Sequence, residues 1–372
     1  MRNKIQQFDL DPVESVVNEN VSYPVDTLKR PSCGVEMEAV YFTEDSSQAL
    51  AFFKDNPDKA GMDRLRRIVG EWHDRIASRS DGDTALRSMC WPMDVVKHKD
   101  DIGIVLPTWP LNFYFKKNGA SHIVRVKGHP KFAKWFSHSL LCSKDIHREE
   151  RGDFSGRLRC CMKLARAVHA IHDAGLVHGD ISSESVLVDP VECEVLLTSC
   201  DGVFEPGKYV PSVVGTKGFV APEIVATLKS SKKTHVLPNQ LSDRHSLAVF
   251  VYSLLLRRSP MEGAAIWNGE DAEHDDELTF GKKALFVENP IDARNRYDWK
   301  WVVAESRKQD VKYLSPWHDL DALPYTKLGP HLSTLVKRAF VDGLHNPSAR
   351  PTAAEWITAI EKTIPLKLDI PN

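Results

Sequence analysis

Up to Pro107 the apolar residues fall into short runs of β-formers, and beyond it they recur at helical spacing. Residues 1–24 are polar and follow neither period, which predicts a mobile or loosely docked extension. From Tyr23 to Lys54, Ala39-Val40-Tyr41-Phe42 and Ala49-Leu50-Ala51-Phe52-Phe53 alternate with polar turns such as Glu44-Asp45-Ser46-Ser47, the pattern of a small sheet. Met62, Leu65, Ile68, Val69 and Trp72 then take i, i+3, i+4 spacing beside Arg64, Arg66 and Arg67, predicting an amphipathic helix. A second strand pair is predicted at Met93–Lys97 and Ile102–Leu106, turning through Lys99-Asp100-Asp101.

In the second part Leu158, Cys161, Leu164, Ala165, Val168 and Ile171 form one apolar stripe, and Gly175 supplies its stop signal. Helices are also predicted over Ser242–Leu256, Leu332–Phe340 and Pro351–Ile360. Glu262–Glu277 carries seven acids and no Lys or Arg, which predicts a solvated surface loop. No internal repeat is visible.

Composition narrows the classes. At 372 residues, 42% hydrophobic and 27% charged, the chain reads as globular and long enough for one large two-lobed domain or two modest ones. A net charge of −2 gives it no excess to draw it to nucleic acid or an anionic membrane, and neither is expected as a partner. The longest apolar run, Leu247–Leu256, is broken by Ser253 and is about half the roughly 20 residues of a membrane-spanning helix. The start Met1-Arg2-Asn3-Lys4 has no apolar stretch behind it, so no secretory signal is expected. Seven cysteines without CxxC spacing suggest neither a disulfide framework nor a zinc site, and a cytoplasmic, reducing location is expected.

One run carries candidate chemistry: Leu176-Val177-His178-Gly179-Asp180-Ile181 passes through Ser182-Ser183-Glu184-Ser185 into Val186-Leu187-Val188. A His and an Asp two apart also arise by chance in a capped turn. Gly215-Thr216, Ala221-Pro222-Glu223, Ser242-Asp243 at the head of an apolar helix, and Arg350-Pro351-Thr352 follow in order. Together these segments resemble the protein kinase superfamily, over about Tyr23 to Thr363. The resemblance implies an α+β, bilobal fold: an N-terminal extension (1–24), a small β-rich N-lobe (25–107), and a hinge with a larger, mainly helical C-lobe (108–372). It also implies that Glu223 is the buried partner of Arg350 and that Asp243 holds the catalytic-loop backbone. More narrowly, Gly281-Lys282-Lys283-Ala284-Leu285-Phe286-Val287-Glu288-Asn289-Pro290 and Ala339-Phe340-Val341-Asp342-Gly343 resemble bacterial tellurite-resistance-associated kinases. That likeness implies bacterial signalling, with a von Willebrand factor A domain protein and a metal-dependent protein phosphatase as partners.

The resemblance assigns roles by position. Asp180 would accept or orient the hydroxyl proton of a protein substrate. Lys54 would hold the α- and β-phosphates of ATP and Glu71 would orient it, although a snorkelling lysine and an exposed helix glutamate fit the same positions. Gly34 and Val40 would lie in the phosphate-covering loop Cys33–Val40, which keeps one glycine and gains Glu36 and Glu38. Leu106 would lead into the hinge, where Pro107 has no N–H and Thr108 and Trp109 remain as adenine contacts.

The metal ligands depart furthest from the family's pattern. Ser185 stands where the family has asparagine, Ser182 where it has a phosphate-contacting lysine, and Gly179 where it has arginine. Ser199 takes the place of the metal-binding aspartate. A shift of two residues across a bulge would let Asp201 supply that carboxylate, whereas a turn aspartate before Gly202 needs no metal. Losing effective Mg²⁺ ligation worth about 3–5 kcal/mol would slow transfer roughly 10²–10⁴-fold. The reading therefore favours a pseudokinase scaffold that binds ATP weakly, with Mg²⁺ use left open. The alternative is an active ATP-dependent serine/threonine kinase using Asp180, a re-registered Asp201 and Thr216. A small-molecule phosphotransferase would share the His-Gly-Asp element, but Ala221-Pro222-Glu223 and Arg350 argue against it.

Overall fold

The computed structural model describes residues 13–25, 37–121, 124–211, 213–228, 235–296, 324–368 and 370. The chain forms two compact units, Met1–Pro110 with Thr198–Val203, and Leu111–Leu197 with Phe204–Asn372.

The first unit is built on an antiparallel sheet of β1 (Val13–Ser15), β2 (Ser22–Tyr23), β3 (Met37–Phe42), β4 (Gln48–Phe53), β5 (Asp94–His98) and β6 (Asp101–Pro107). Their order is β2-β1-β5-β6-β4-β3, with Leu50 opposite Val105 and Val96 opposite Gly103. Alternation places Ala39, Tyr41, Leu50, Phe52, Val96 and Val105 in one buried cluster, where the Tyr41 and Phe52 rings meet edge-on at 6.1 Å. The β5–β6 turn passes through Lys99, whose φ of 54° is left-handed.

Residues 13–23 correct the expectation of a loosely docked extension. β1 pairs with β5, Glu14 facing Lys97, and β2 pairs with β1. The anchor is Asp94, only 1% exposed, which accepts hydrogen bonds from Tyr23 Oη (2.8 Å), Ser15 Oγ (3.0 Å) and Asn18 Nδ2 (3.2 Å). Polar residues here satisfy one buried carboxylate, so they show no apolar period. Burial and that carboxylate push the Tyr23 phenol above its usual pKa.

Helix α1 (Lys59–Arg67) starts at Asp58, which accepts from Gly61 N at 2.7 Å, and continues through a π turn (Ile68–Trp72) into α2 (His73–Ala77). The buried stripe is Leu65, Ile68, Trp72 and Ile76. Trp91 Nε1 donates to the Ile68 carbonyl at 2.9 Å, an inserted bond that accounts for the widened turn. A short helix, α3 (Gly82–Arg87), precedes β5.

In the second unit α4 (Ser139–Asp145) is followed by α5 (Phe154–Asp173), capped by Asp153 and ended by Gly175 at φ 77°. The hairpin β7 (Val186–Asp189) and β8 (Glu194–Leu197) comes next, then α6 (Pro222–Leu228) and α7 (Gln240–Leu256). The capping box of Asn239 and Ser242 starts α7 two residues ahead of the apolar pattern. The last predicted helices form over Gly329–Lys337, continued by a π turn to Asp342, and over Ala353–Thr363, capped by Thr352 and Glu355. The acidic stretch is corrected in its second half, which is a helix, α8 (Ala272–Phe280), capped by Asp271. Asp275 accepts from Trp267 N and Asn268 N, so the acids fold the loop onto its own backbone. Among the described residues no helix is long and apolar enough to cross a membrane, and the cysteines are free.

Candidate functional site

In the helical unit, the loop between α5 and β7 is held from beneath by Asp243. This residue is 1% exposed; its Oδ2 accepts from His178 N (2.8 Å) and lies 3.0 Å from His172 Nε2, and its Oδ1 accepts from Gly179 N (3.0 Å). Asp243 thus does what the resemblance implies. Gly179 sits at φ 81°, and a Cβ there would stand 3.1 Å from Phe204 Cε1. The missing arginine therefore coincides with a backbone that favours glycine. The exit strand is fixed by Lys131, whose buried Nζ lies 3.2 Å from Asp189 Oδ2 and 3.5 Å from Glu150 Oε1.

Asp180 Oδ1 accepts from Thr216 Oγ1 at 2.7 Å. Burial pushes the Asp180 carboxyl above the usual carboxylate range, against the Thr216 bond and His178, which pull it down. Ser182 and Ser185 are both turned inward. Ser185 Oγ donates to Asp180 O at 2.5 Å and accepts from Ser182 N at 2.9 Å, and Ser182 Oγ accepts from Glu184 N (3.1 Å) and Ser185 N (3.2 Å). Both residues are buried, so these hydroxyls build the turn. Behind the loop, Arg350 makes a two-pronged pair with Glu223 at 2.8 and 2.7 Å and also donates to the carbonyls of Gly343, Leu241 and Leu344.

In the β-rich unit, Ser199 is left-handed (φ 58°, ψ 27°), and a 3-10 turn, Cys200–Gly202, follows it, so Asp201 stands in a turn and not in a bulge. Arg64 Nη1 ties this turn to α1 by donating to Asp201 O (2.6 Å) and Val203 O (3.2 Å). Nothing separates Arg64 from the neighbouring arginines in sequence. Cys200 is fully buried, and burial pushes the Cys90 thiol up to about 12, with the charge of Asp201 adding to the rise. Glu71 lies in the π turn, bonded to Arg67 (2.5 Å) and to Arg75 on its own helix, the exposed-glutamate alternative. Lys54 follows β4 and is exposed; Val40 and Leu106 are half-buried in β3 and β6. Thr108 N, offered above as an adenine contact, donates to Ser47 O at 3.3 Å. Gly34 lies outside the described residues.

Among the described residues no three His, Cys, Asp or Glu side chains converge as a metal site. The Ser185 hydroxyl is already committed to the loop, so it does not fit the ligand role.

Residues 146–356 match the protein kinase domain family. The serine/threonine-protein kinase MRCK gamma of Homo sapiens is 32% identical over 124 residues, covering 32% of this chain and 8% of that protein. The NUAK family SNF1-like kinase 1 of Mus musculus is 22% identical over 228 residues, covering 54% of this chain and 32% of that protein. The chain thus spans under a tenth of the first relative and about a third of the second. Among solved structures, ROP2 from Toxoplasma gondii, a virulence factor with a protein-kinase fold and no enzymatic activity, superposes with a TM-score of 0.51 at 16% identity. The match covers 99% of this chain and 86% of that one, a likeness of fold.

Proposed function

Because the chain belongs to the protein kinase domain family, we propose that it is a pseudokinase, a kinase-fold module that signals by holding a protein partner. The observation that carries this reading is the Ser182–Ser185 turn. Phosphoryl transfer needs cations around the phosphates, and a bound divalent ion would supply much of that charge. This chain places two buried hydroxyls where the family has a cation and a metal ligand, and spends both on its own backbone. ROP2 has a kinase fold and no enzymatic activity; the same combination is proposed here from this chain's own loop. Partners of the von Willebrand factor A and metal-dependent phosphatase classes, and a place in bacterial tellurite resistance, are part of the proposal through the Gly281–Pro290 and Ala339–Gly343 segments.

One observation favours a second reading, an active serine/threonine kinase. Asp180 is hydrogen-bonded to Thr216, an arrangement that positions a carboxylate to orient a substrate hydroxyl. A thermal-shift titration with ATP, alone and with Mg²⁺ or Mn²⁺, separates the two. The pseudokinase gives a shift that is absent or indifferent to metal, and metal-enhanced stabilisation supports the enzyme. Radiolabelled phosphate transfer that is lost in both Asp180→Ala and Asp201→Ala would overturn the pseudokinase reading.

A further inference from the structure

Helices α9 (Gly329–Lys337) and α10 (Ala353–Thr363) of the second unit each bury one face, through Leu332 and Val336 and through Trp356 and Ile360. A groove of about 370 Å³ runs between them. Arg338 Nη2 donates to Glu355 Oε2 at 2.5 Å, joining the end of α9 to the start of α10. Beyond the end of α10 the chain returns to the start of α9, where a Cβ at Gly329 would stand 3.4 Å from Leu368 Cδ1. The pair is therefore antiparallel. The trough stays open because small residues line it: Ala354, Thr358 and Ala359 on α10 face Pro330 and Thr334 on α9. Both threonines turn their hydroxyls back on their own helix, Thr334 Oγ1 to Pro330 O (2.7 Å) and Thr358 Oγ1 to Ala354 O (3.1 Å), so each leaves its methyl group for a ligand. Leu335 and Ala359, both buried, complete an apolar floor.

Charge is unevenly placed around this floor. Glu355 is spent on Arg338 and Thr352 N, and Glu361 is spent on Arg166 of α5 at 2.8 Å. At the opposite end from Glu355, Lys362 and His331 line the groove, and among the described residues neither has a carboxylate partner. Lys327 and Lys367, both exposed, stand on the segments that enter α9 and leave α10 at this same end. An apolar trough with its acids neutralised and one cationic end is complementary to an apolar segment that carries acids.

We propose that the groove between α9 and α10 is the docking site for an acidic amphipathic helix of a protein partner. Thr334, Thr358 and Lys362 on its rim are exposed, so it is a surface trough, which suits a peptide better than an enclosed small molecule. It follows α10 from Ala354 to Lys362, about 12 Å at the helical rise of about 1.5 Å per residue. Apolar anchors at i, i+4 and i+7 of a partner helix span about 10.5 Å and fit that length, while acids beside them reach Lys362 and His331. Apart from these two helices the groove takes in no residue of the loop that carries Asp180, so the inference goes beyond the pseudokinase reading and holds with either reading of that loop.

The test is selection from a displayed library of helical peptides of roughly four turns on the immobilised full chain, followed by fluorescence anisotropy of the most enriched peptide. Wild type, Thr358→Trp and Lys362→Glu are compared; both positions are exposed, so the variants keep the fold. Enriched sequences are expected to carry apolar anchors at i, i+4 and i+7 with Asp or Glu beside them. Thr358→Trp fills the trough and should weaken the enriched peptide about tenfold or more. Lys362→Glu reverses the charge at the cationic end and should weaken it about three- to thirtyfold, with a smaller effect at high salt. No enrichment over the Thr358→Trp chain, enriched peptides that lack acids, or unchanged affinity in Thr358→Trp would overturn the site. Sedimentation that shows wild type associating with itself through a face that Thr358→Trp blocks would give the groove to a second copy and overturn it as well.

Discussion

Replacing Asp243 with Asn keeps the size of the side chain and removes its charge, which isolates the electrostatic hold on the loop that carries Asp180. In the native chain the two carboxylate oxygens accept from His178 N at 2.8 Å and Gly179 N at 3.0 Å. An amide keeps one oxygen and turns an NH₂ group toward the other N–H. One charged hydrogen bond becomes neutral and one amide is left facing a donor, a loss of about 2–4 kcal/mol. Converted at about 1.4 kcal/mol per decade, local opening should become roughly 30- to 1,000-fold more frequent. Hydrogen–deuterium exchange at the amides of 176–182 reads this directly. Glu184→Gln is the control, since Glu184 is an exposed side chain 3.7 Å from Lys134 and should leave these amides unchanged. Native protection of His178 and Gly179 in Asp243→Asn would refute the reasoning.

Glu223→Ala leaves Arg350 buried without its counter-charge and should cost about 3–5 kcal/mol in urea unfolding; a loss below about 1 kcal/mol would count against the pair. Asp94→Ala should free residues 13–25 from β5 and speed protease cleavage between Ser15 and Tyr23, and unchanged cleavage would contradict the anchor. The Glu355 carboxyl, bonded to Arg338 and Thr352, is held down at about 2 from its usual 4.5. Its contribution is therefore complete above pH 4.5 and is lost as pH falls toward 2. The stability gap between wild type and Glu355→Gln should close over that window, and a gap that stays constant there would argue against the contact.

Strands β3 to β6 were readable because their β-formers alternate over five or more residues, and the motif order made Asp180, Asp243, Glu223 and Arg350 readable as a set. β1 was not, since three residues are too few to show a period and Ser15 bonds to Asp94 across 79 positions. α8 hid behind its charges, because acids that cap and brace a helix look the same in sequence as acids facing water. The inward turn of Ser182 and Ser185 depends on side-chain torsions that residue type does not specify. Arg64 was opaque for a related reason: it reaches a carbonyl 137 positions away.

The narrow ribbon Val13–Ser15 also shields the sheet. Val16 N reaches Val95 O at 2.7 Å, so this stretch occupies hydrogen-bonding positions that β5 would otherwise present at an open margin. A shortened chain starting after Tyr23 would bare that margin to any passing extended peptide, itself included, and invite edge-to-edge aggregation.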